Sequence, residues 1–469
     1  MSPTPELLIK PRISPPLDPG FLPAVLFNRS CLAGIRRSGS ATRLVVGLAR
    51  PDGSLSTYET IVHDGSAPNE RAESLYYAER LVKFLLWQRG ASRLLIGGPG
   101  YIGEHLDSVY SRDGARSFDF EFMSKIYNTP FRVEVIDVDE MPPASEPTVP
   151  LGRHLEGCRI GFDLGASDYK ISAVIDGMCV YSDEFPWHPR DEADIAYHYE
   201  HIASGLRRAA EHLPRVDAIG GSSAGVWIDD QVRAASLFRG IPEEAFEKEA
   251  GNLFVQIRDE WHVPLNVVND GEVTALAGSM SLEQNAVLGI AMGSSEAAGY
   301  VTGDGNITRW LNELAFAPID YQAGAPADEW SGDVGCGVQY LCQTGVIRLA
   351  ERAGISIDAR LTPAQKLEAI QDLMREGDDR VPPIYETIGV WLGYAVAHYA
   401  DFYDVEHVLV LGRVTSGMGG EIIVRTAERV LTAEFPELAI RLHVPDEKMK
   451  RVGQSVAAAS LPLISNRGS

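Results

Sequence analysis

Apolar residues in this chain bunch into short runs closed by glycine and small polar residues, with longer stretches of helical spacing between them. The run from Cys158 to Leu164 turns through Gly165-Ala-Ser167-Asp and returns as Ile171–Ile175 to Asp176-Gly177, which predicts two adjacent strands. Further strands are predicted at 216–220, 265–268 and Val408–Leu411. Helices are predicted at 191–213, 242–260, 385–402 and about 446–463. Phe246, Leu253, Phe254 and Ile257 fall near one face of the second of these, which marks them as core. The last helix opens on Pro445-Asp446-Glu447 and runs through small residues that permit close packing. Strands alternating with helices imply mixed sheets covered by helices.

Proline punctuates the pattern twice. Residues 1–24 read as an irregular arm, and Met141–Pro150 reads as a linker, because clustered prolines exclude helix and sheet interiors. Between them, residues 40–140 echo the segment 157–275. Thr42-Arg-Leu-Val-Val-Gly-Leu parallels the run at Cys158, Leu94-Leu-Ile-Gly-Gly98 parallels Asp217-Ala-Ile-Gly-Gly221, and Thr129–Val135 parallels Val263–Val268. Gly47 stands where Asp163 stands, so this block reads as a degenerate copy without chemistry. The alternative is that any two α/β segments share such patterns. The expected division is 1–150 (arm, block and linker), 151–285 (first lobe) and 286–469 (second lobe).

With 469 residues the chain can hold two or three domains and a large core. A formal charge of −23 opposes non-specific binding to nucleic acid or anionic membrane. The first 150 residues carry 16 Lys and Arg against 18 Asp and Glu, which offers no basic DNA-recognition face. Five cysteines, odd in number and without a Cys-x-x-Cys pair, read as reduced thiols. No apolar run approaches the roughly 18 residues of a membrane span, and the start lacks a signal-peptide pattern. The expectation is a cytoplasmic protein with a small-molecule ligand, and a homo-oligomer is left open.

The turn after Asp163 has the outline of a nucleotide site: bared backbone N–H groups cradle phosphate oxygens and the carboxylate holds magnesium. Alone it is more often a plain hairpin turn. Three further elements come after it in order: Val267-Val-Asn269-Asp270-Gly271-Glu272, then Leu288-Gly-Ile-Ala-Met-Gly293-Ser294-Ser295, then Val408-Leu-Val-Leu-Gly412. Together, over roughly 157–465, they resemble the ROK family of sugar kinases and sugar-responsive repressors, within the actin/hexokinase/heat-shock ATPase superfamily. The resemblance implies an α/β, two-lobed hexokinase/actin-like (ribonuclease H-like) fold with mixed sheets. It also implies ATP- and Mg2+-dependent phosphorylation of a sugar or sugar-like hydroxyl; the alternative is a ROK-like sugar-binding or regulatory protein that has lost the transfer step.

By the same resemblance Asp270 is the general base and Asn269 and Glu313 hold sugar hydroxyls. Ser223 lines the pocket, and Asp163, Gly165, Ser167, Gly293, Ser294 and Gly412 serve the nucleotide, Asp163 through magnesium. Each has a bland counterpart: Asn269 and Asp270 suit a helix cap, Glu313 a solvated charge, Ser222-Ser223 a turn. The chain also departs from the family pattern. Phe316 stands in for a histidine, Glu296 enters the second phosphate loop, and Arg413 replaces a glycine. The zinc-binding stretch retains only Cys336 and Cys342, too few for a tetrahedral site, so no zinc is expected.

Overall fold

A computed structural model describes residues 9–146, 151–165, 168–445 and 447–464. Ser167, and most of the proline-rich end of the linker at 147–150, therefore lie outside the described residues. By internal packing the chain divides into two units. One comprises Met1–Pro147, Ala291–Ala297 and Trp310–Val444; the other comprises Thr148–Ile290, Ala298–Arg309 and Pro445–Ser469.

The chain opens with helix α1 (Ala24–Ser38), which stops where Gly39 takes a left-handed conformation that costs glycine little. Strands β1 (Ala41–Ala49) and β2 (Leu55–His63) then form an antiparallel hairpin. A 22-residue helix, α2 (Pro68–Arg89), leads to β3 (Arg93–Gly97). Helices α3 (Gly100–Val109) and α4 (Ser117–Ile126) lead on to β4 (Arg132–Ile136), giving a sheet of order β2-β1-β3-β4. The linker is tied to this sheet, because Ser145 and Leu55 exchange backbone hydrogen bonds of 2.8 Å.

Next come β5 (Cys158–Leu164), β6 (Asp168–Ile175) and β7 (Met178–Pro186), an antiparallel meander. Helix α5 (Ile195–Ala210) crosses to β8 (Ala218–Ser223), and a small hairpin, β9 (Val226–Ile228) and β10 (Gln231–Ala234), comes after it. The helix expected over 242–260 is two: α6 (Glu243–Lys248) and α7 (Leu253–Trp261), parted around Gly251, the poorest helix former in the stretch after proline. Leu253, Phe254 and Ile257 are core residues, and Phe246 packs against them half-buried. β11 (Leu265–Asn269) closes the sheet, whose order is β11-β8-β5-β6-β7, and runs into α8 (Asp270–Leu282).

Next come strands β12 (Val287–Met292) and β13 (Glu296–Val301). Helices α9 (Gln343–Arg352), α10 (Pro363–Glu376) and α11 (Pro382–Tyr399) precede β14 (His407–Leu411). Then α12 (Met418–Glu434), β15 (Arg441–His443) and α13 (Glu447–Ala459) complete the chain, with the last sheet ordered β13-β12-β14-β15. Helix α11 is apolar nearly all round and accordingly buried, and Gly389 and Gly393 let α12 approach it: a Cβ there would lie 2.6 Å from Thr426 and Val430. The small residues of α13 serve the same end. Its backbone lies on β5 and β8, where a Cβ on Gly161 or Gly220 would meet the carbonyls of Ser455 and Ala458 at 1.7 and 1.8 Å.

The expected copy relationship between 40–140 and the first lobe fails in topology. Strand order agrees, with β2-β1-β3-β4 matching β6-β5-β8-β11. Strand direction does not, since β3 runs antiparallel to β1 while β8 runs parallel to β5.

Candidate active site

In the unit built on the five-stranded sheet, β5, β8 and β11 are parallel, so their carboxyl ends share one edge. Register places Asp163 beside Ser222, and Leu164, Ser223 and Asn269 in one row. Such an edge is where open α/β sheets bind ligands, because the strands end there and helix N-termini point at it.

Asp163 is 9% exposed and accepts a 2.7 Å hydrogen bond from Ser222 Oγ. Burial, with the charge of Asp270 as a lesser cause, pushes its carboxyl up to about 6 despite that hydrogen bond. Asn269 caps α8: its Oδ1 accepts from the Gly271 N–H at 2.7 Å, while its Nδ2 donates to the Gly225 carbonyl at 2.8 Å. The cap expected as the bland reading of this pair is therefore real, and it fixes Asn269 with both ends of its amide engaged. Asp270 is the first residue of α8, accepts from the Gly271 N–H at 3.0 Å, and is raised above the usual carboxylate range by burial. Neither Asp163 nor Asp270 has an ion-pair partner among the described residues.

Gly271 is required where it stands. A Cβ there would lie 2.2 Å from the Ala298 carbonyl, so the start of α8 rests against β13. Gly165 closes the β5–β6 turn, donating its N–H to the Asp168 carbonyl at 3.0 Å and accepting from Trp187 Nε1 at 2.8 Å. Ser223 is fully buried at the end of β8. Its neighbour Ser222 makes the contact with Asp163, a distinction the Ser-Ser pattern could not supply.

The other candidates belong to the unit that contains residues 310–444. Gly293 and Ser294 come directly after β12, Ser294 is exposed, and the loop is held by Gly293 N–H to Ser295 carbonyl and Gln343 N–H to Gly293 carbonyl bonds of 3.0 Å. Gly412 ends β14 with φ of 104°, and a Cβ would lie 2.4 Å from the Met292 carbonyl, so only glycine lets these two loops meet. Glu296, the unexpected acid of the second loop, is turned into the protein at 3% exposure. Its Oε1 accepts from the Tyr399 hydroxyl at 3.3 Å, and its Oε2 sits over Gly337, where a Cβ would be 2.2 Å away. Burial, with Glu313 as a further cause, pushes it up to about 8. The carboxyl is therefore neutral at pH 7.

Glu313 is half-buried, and its N–H donates to the Trp87 carbonyl at 3.0 Å. Phe316 stacks on the Trp87 ring at 4.3 Å and is core, not a sugar donor. The stretch corresponding to the family's zinc loop is also filled. Cys342 donates to the Val338 carbonyl and caps α9, and Cys336 lies 3.7 Å from an Asp333 carboxylate already held by arginines. Among the described residues no group of three His, Cys, Asp or Glu could hold a metal, so this donor set does not suit zinc.

The chain matches no protein-family profile and no curated protein. Among solved structures it is similar to a ROK family transcriptional regulator, homolog of the E. coli MLC protein, at TM-score 0.53 and 17% identity over 66% of this chain and 78% of the other. It is also similar to the ROK hexokinase from Thermus thermophilus, at TM-score 0.50 and 18% identity over 64% of this chain and 97% of the other. No helix is long and apolar enough to cross a membrane among the described residues. Mixed sheets, the convergent edge of β5, β8 and β11 and these likenesses agree on one architecture: the fold of this chain is that of the ROK family.

Proposed function

We propose that the chain transfers the γ-phosphoryl group of ATP to a hydroxyl of a sugar or sugar-like polyol. The observation that carries this reading is Asp270: a half-buried carboxylate at the start of α8, raised in basicity, beside an Asn269 whose amide is fixed at both ends. Asp270 takes the proton of the attacking hydroxyl as the new O–P bond forms and the bond to the ADP oxygen breaks. Asn269 and Glu313 each serve a sugar hydroxyl, and Gly165, Gly293, Ser294 and Gly412 serve the nucleotide. Asp163 suits magnesium, being a buried carboxylate near Asp270 whose one cationic neighbour, Lys170, does not offset its burial; the ion would neutralise phosphate charge.

The rival reading, a sugar-binding or regulatory protein without transfer, is favoured by Phe316, which is packed into the core where the family pattern has a polar ligand. Glu296 no longer favours it, since the carboxyl is buried beside Tyr399. Calorimetric titration of Mg-ATP with and without a panel of sugars, with ADP release measured alongside, separates the two. Sugar-dependent ADP release supports the kinase. Sugar binding without Mg-ATP binding or turnover overturns it.

A further inference from the structure

Helix α2 brings an unusual set of charges into the core: Arg80 and Lys83 are buried, and Arg116, just before α4, lies against the same place. They converge on Asp333. Arg80 Nη1 is 3.0 Å from both its oxygens, Arg116 Nη1 2.7 Å and Lys83 Nζ 3.7 Å. Lys83 Nζ also donates to Asp119 at 2.6 Å, and Glu79 takes a second Arg116 nitrogen at 2.9 Å. Three cations thus meet three carboxylates. The arginines and the lysine hold the Asp333 carboxyl well below the usual range against its burial.

This cluster is connected to Glu313 through one residue. Asp119 Oδ1 accepts from Trp87 Nε1 at 2.7 Å, the Trp87 ring stacks on Phe316, and the last turn of α2 presents two carbonyls to the Glu313 segment. Those of Gln88 and Trp87 accept the Asn312 and Glu313 N–H groups at 2.9 and 3.0 Å. Gln88 Nε2 donates in turn to the Phe402 carbonyl at 3.0 Å.

We infer that Arg80, Lys83 and Arg116 are positioning residues: clustered on Asp333 in the loop where a metal would not fit, they hold Trp87 and through it set the backbone of the substrate-binding Glu313. The N-terminal block is then the chain's own replacement for a metal staple. The expected change in sugar affinity rests on the kinase reading; the expected changes in exchange and melting do not. A buried group that orients a ligand residue is felt at the ligand even without touching it.

The test compares Arg116→Met, which leaves Asp333 two cations, with Arg116→Lys. Trp87→Phe, which keeps one aromatic ring but loses the hydrogen bond to Asp119 and part of the indole's stacking, provides a second break. Hydrogen exchange at the Asn312 and Glu313 amides is expected to quicken about tenfold in Arg116→Met, with Arg116→Lys near wild type and the β14 amides unchanged. Sugar affinity should fall in the same order with kcat little changed. Wild-type protein should melt at the same temperature with and without a chelator. Unchanged exchange in both Arg116→Met and Trp87→Phe overturns the inference, as does stoichiometric zinc whose removal lowers the melting temperature. If no sugar binds the wild type, the kinase reading fails while the exchange and chelator results still decide this one.

Discussion

The sheets built on β1 and β5 start alike and end differently, and the number of strands before the helical crossover explains why. In the β5 sheet three meander strands precede α5, so β7 runs parallel to β5. A helix returning from the end of a strand starts the next strand in the same direction, which makes β8 and then β11 parallel to β5. In the β1 sheet only two strands precede α2. β2 is antiparallel to β1, and β3, launched in the direction of β2, is antiparallel to β1 as well. One strand fewer inverts every later strand.

The chemical consequence is large. Carboxyl ends of β5, β8 and β11 fall on one edge and bring together Asp163, Ser222, Asn269 and Asp270. In the β1 sheet Ala49, the end of β1, lies opposite Arg93, the start of β3. The turn after β1 and the loops after β3 and β4 are thereby kept on opposite edges. Similar strand motifs, Leu94–Gly98 and Asp217–Gly221, therefore yield a site in one sheet and a scaffold in the other.

Asp270→Asn offers the largest expected effect, because it deletes the proposed base and preserves shape. Turnover should fall about 10²–10⁴-fold with sugar affinity nearly intact. Asp137→Asn, just beyond the end of β4, keeps an oxygen that accepts the Asp139 N–H and removes only an exposed charge, so turnover should stay within about twofold. Steady-state kinetics on both variants breaks the comparison if their effects are alike.

Gly161→Ala comes next. Its Cβ would sit 1.7 Å from the Ser455 carbonyl, and backbone must move, so a loss of about 2–4 kcal/mol is expected in denaturant unfolding. Gly47→Ala in β1 meets the Met141 sulfur at 2.9 Å, the flexible end of a side chain, and should cost under about 1.5 kcal/mol. Equal losses would mean that the two sheets are packed equally tightly.

The smallest effect concerns pH. Glu296 holds its proton to about pH 8 when folded, against 4.5 ordinarily, so between those values the folded state binds more protons than the unfolded. Stability from this group therefore declines as pH rises from about 5 to 8. Glu296→Gln removes that slope and should be more stable than wild type at pH 9 by on the order of 1–3 kcal/mol. Parallel stability curves against pH would show that the carboxyl is solvated, and would return Glu296 to the phosphate loop.

Much of the candidate site was legible because its signals are local. The Asp163 turn, the Asn269-Asp270 cap before α8 and the glycines at 293 and 412 each sit within a few residues of the strand that positions them. The adjacent strands β5 and β6 and the burial of Leu253, Phe254 and Ile257 likewise accord with periodicity and turn chemistry. Glu296 misled because a carboxylate's direction is set by what it packs against, here Tyr399, 103 residues on. The same limit hid the Asp333 cluster, whose arginine partner Arg80 is 253 residues away.

What the chain alone determined, then, was which segments become strands and helices and which residues end the strands, since backbone preference and apolar spacing act over a turn or two. Only the tertiary structure decided that β3 runs against β1, that residues 1–147 share a unit with 310–444, and that Asp333 is met by Arg80, Lys83 and Arg116. These outcomes depend on chain direction after a crossover and on charges desolvated together, neither of which leaves a local trace in sequence.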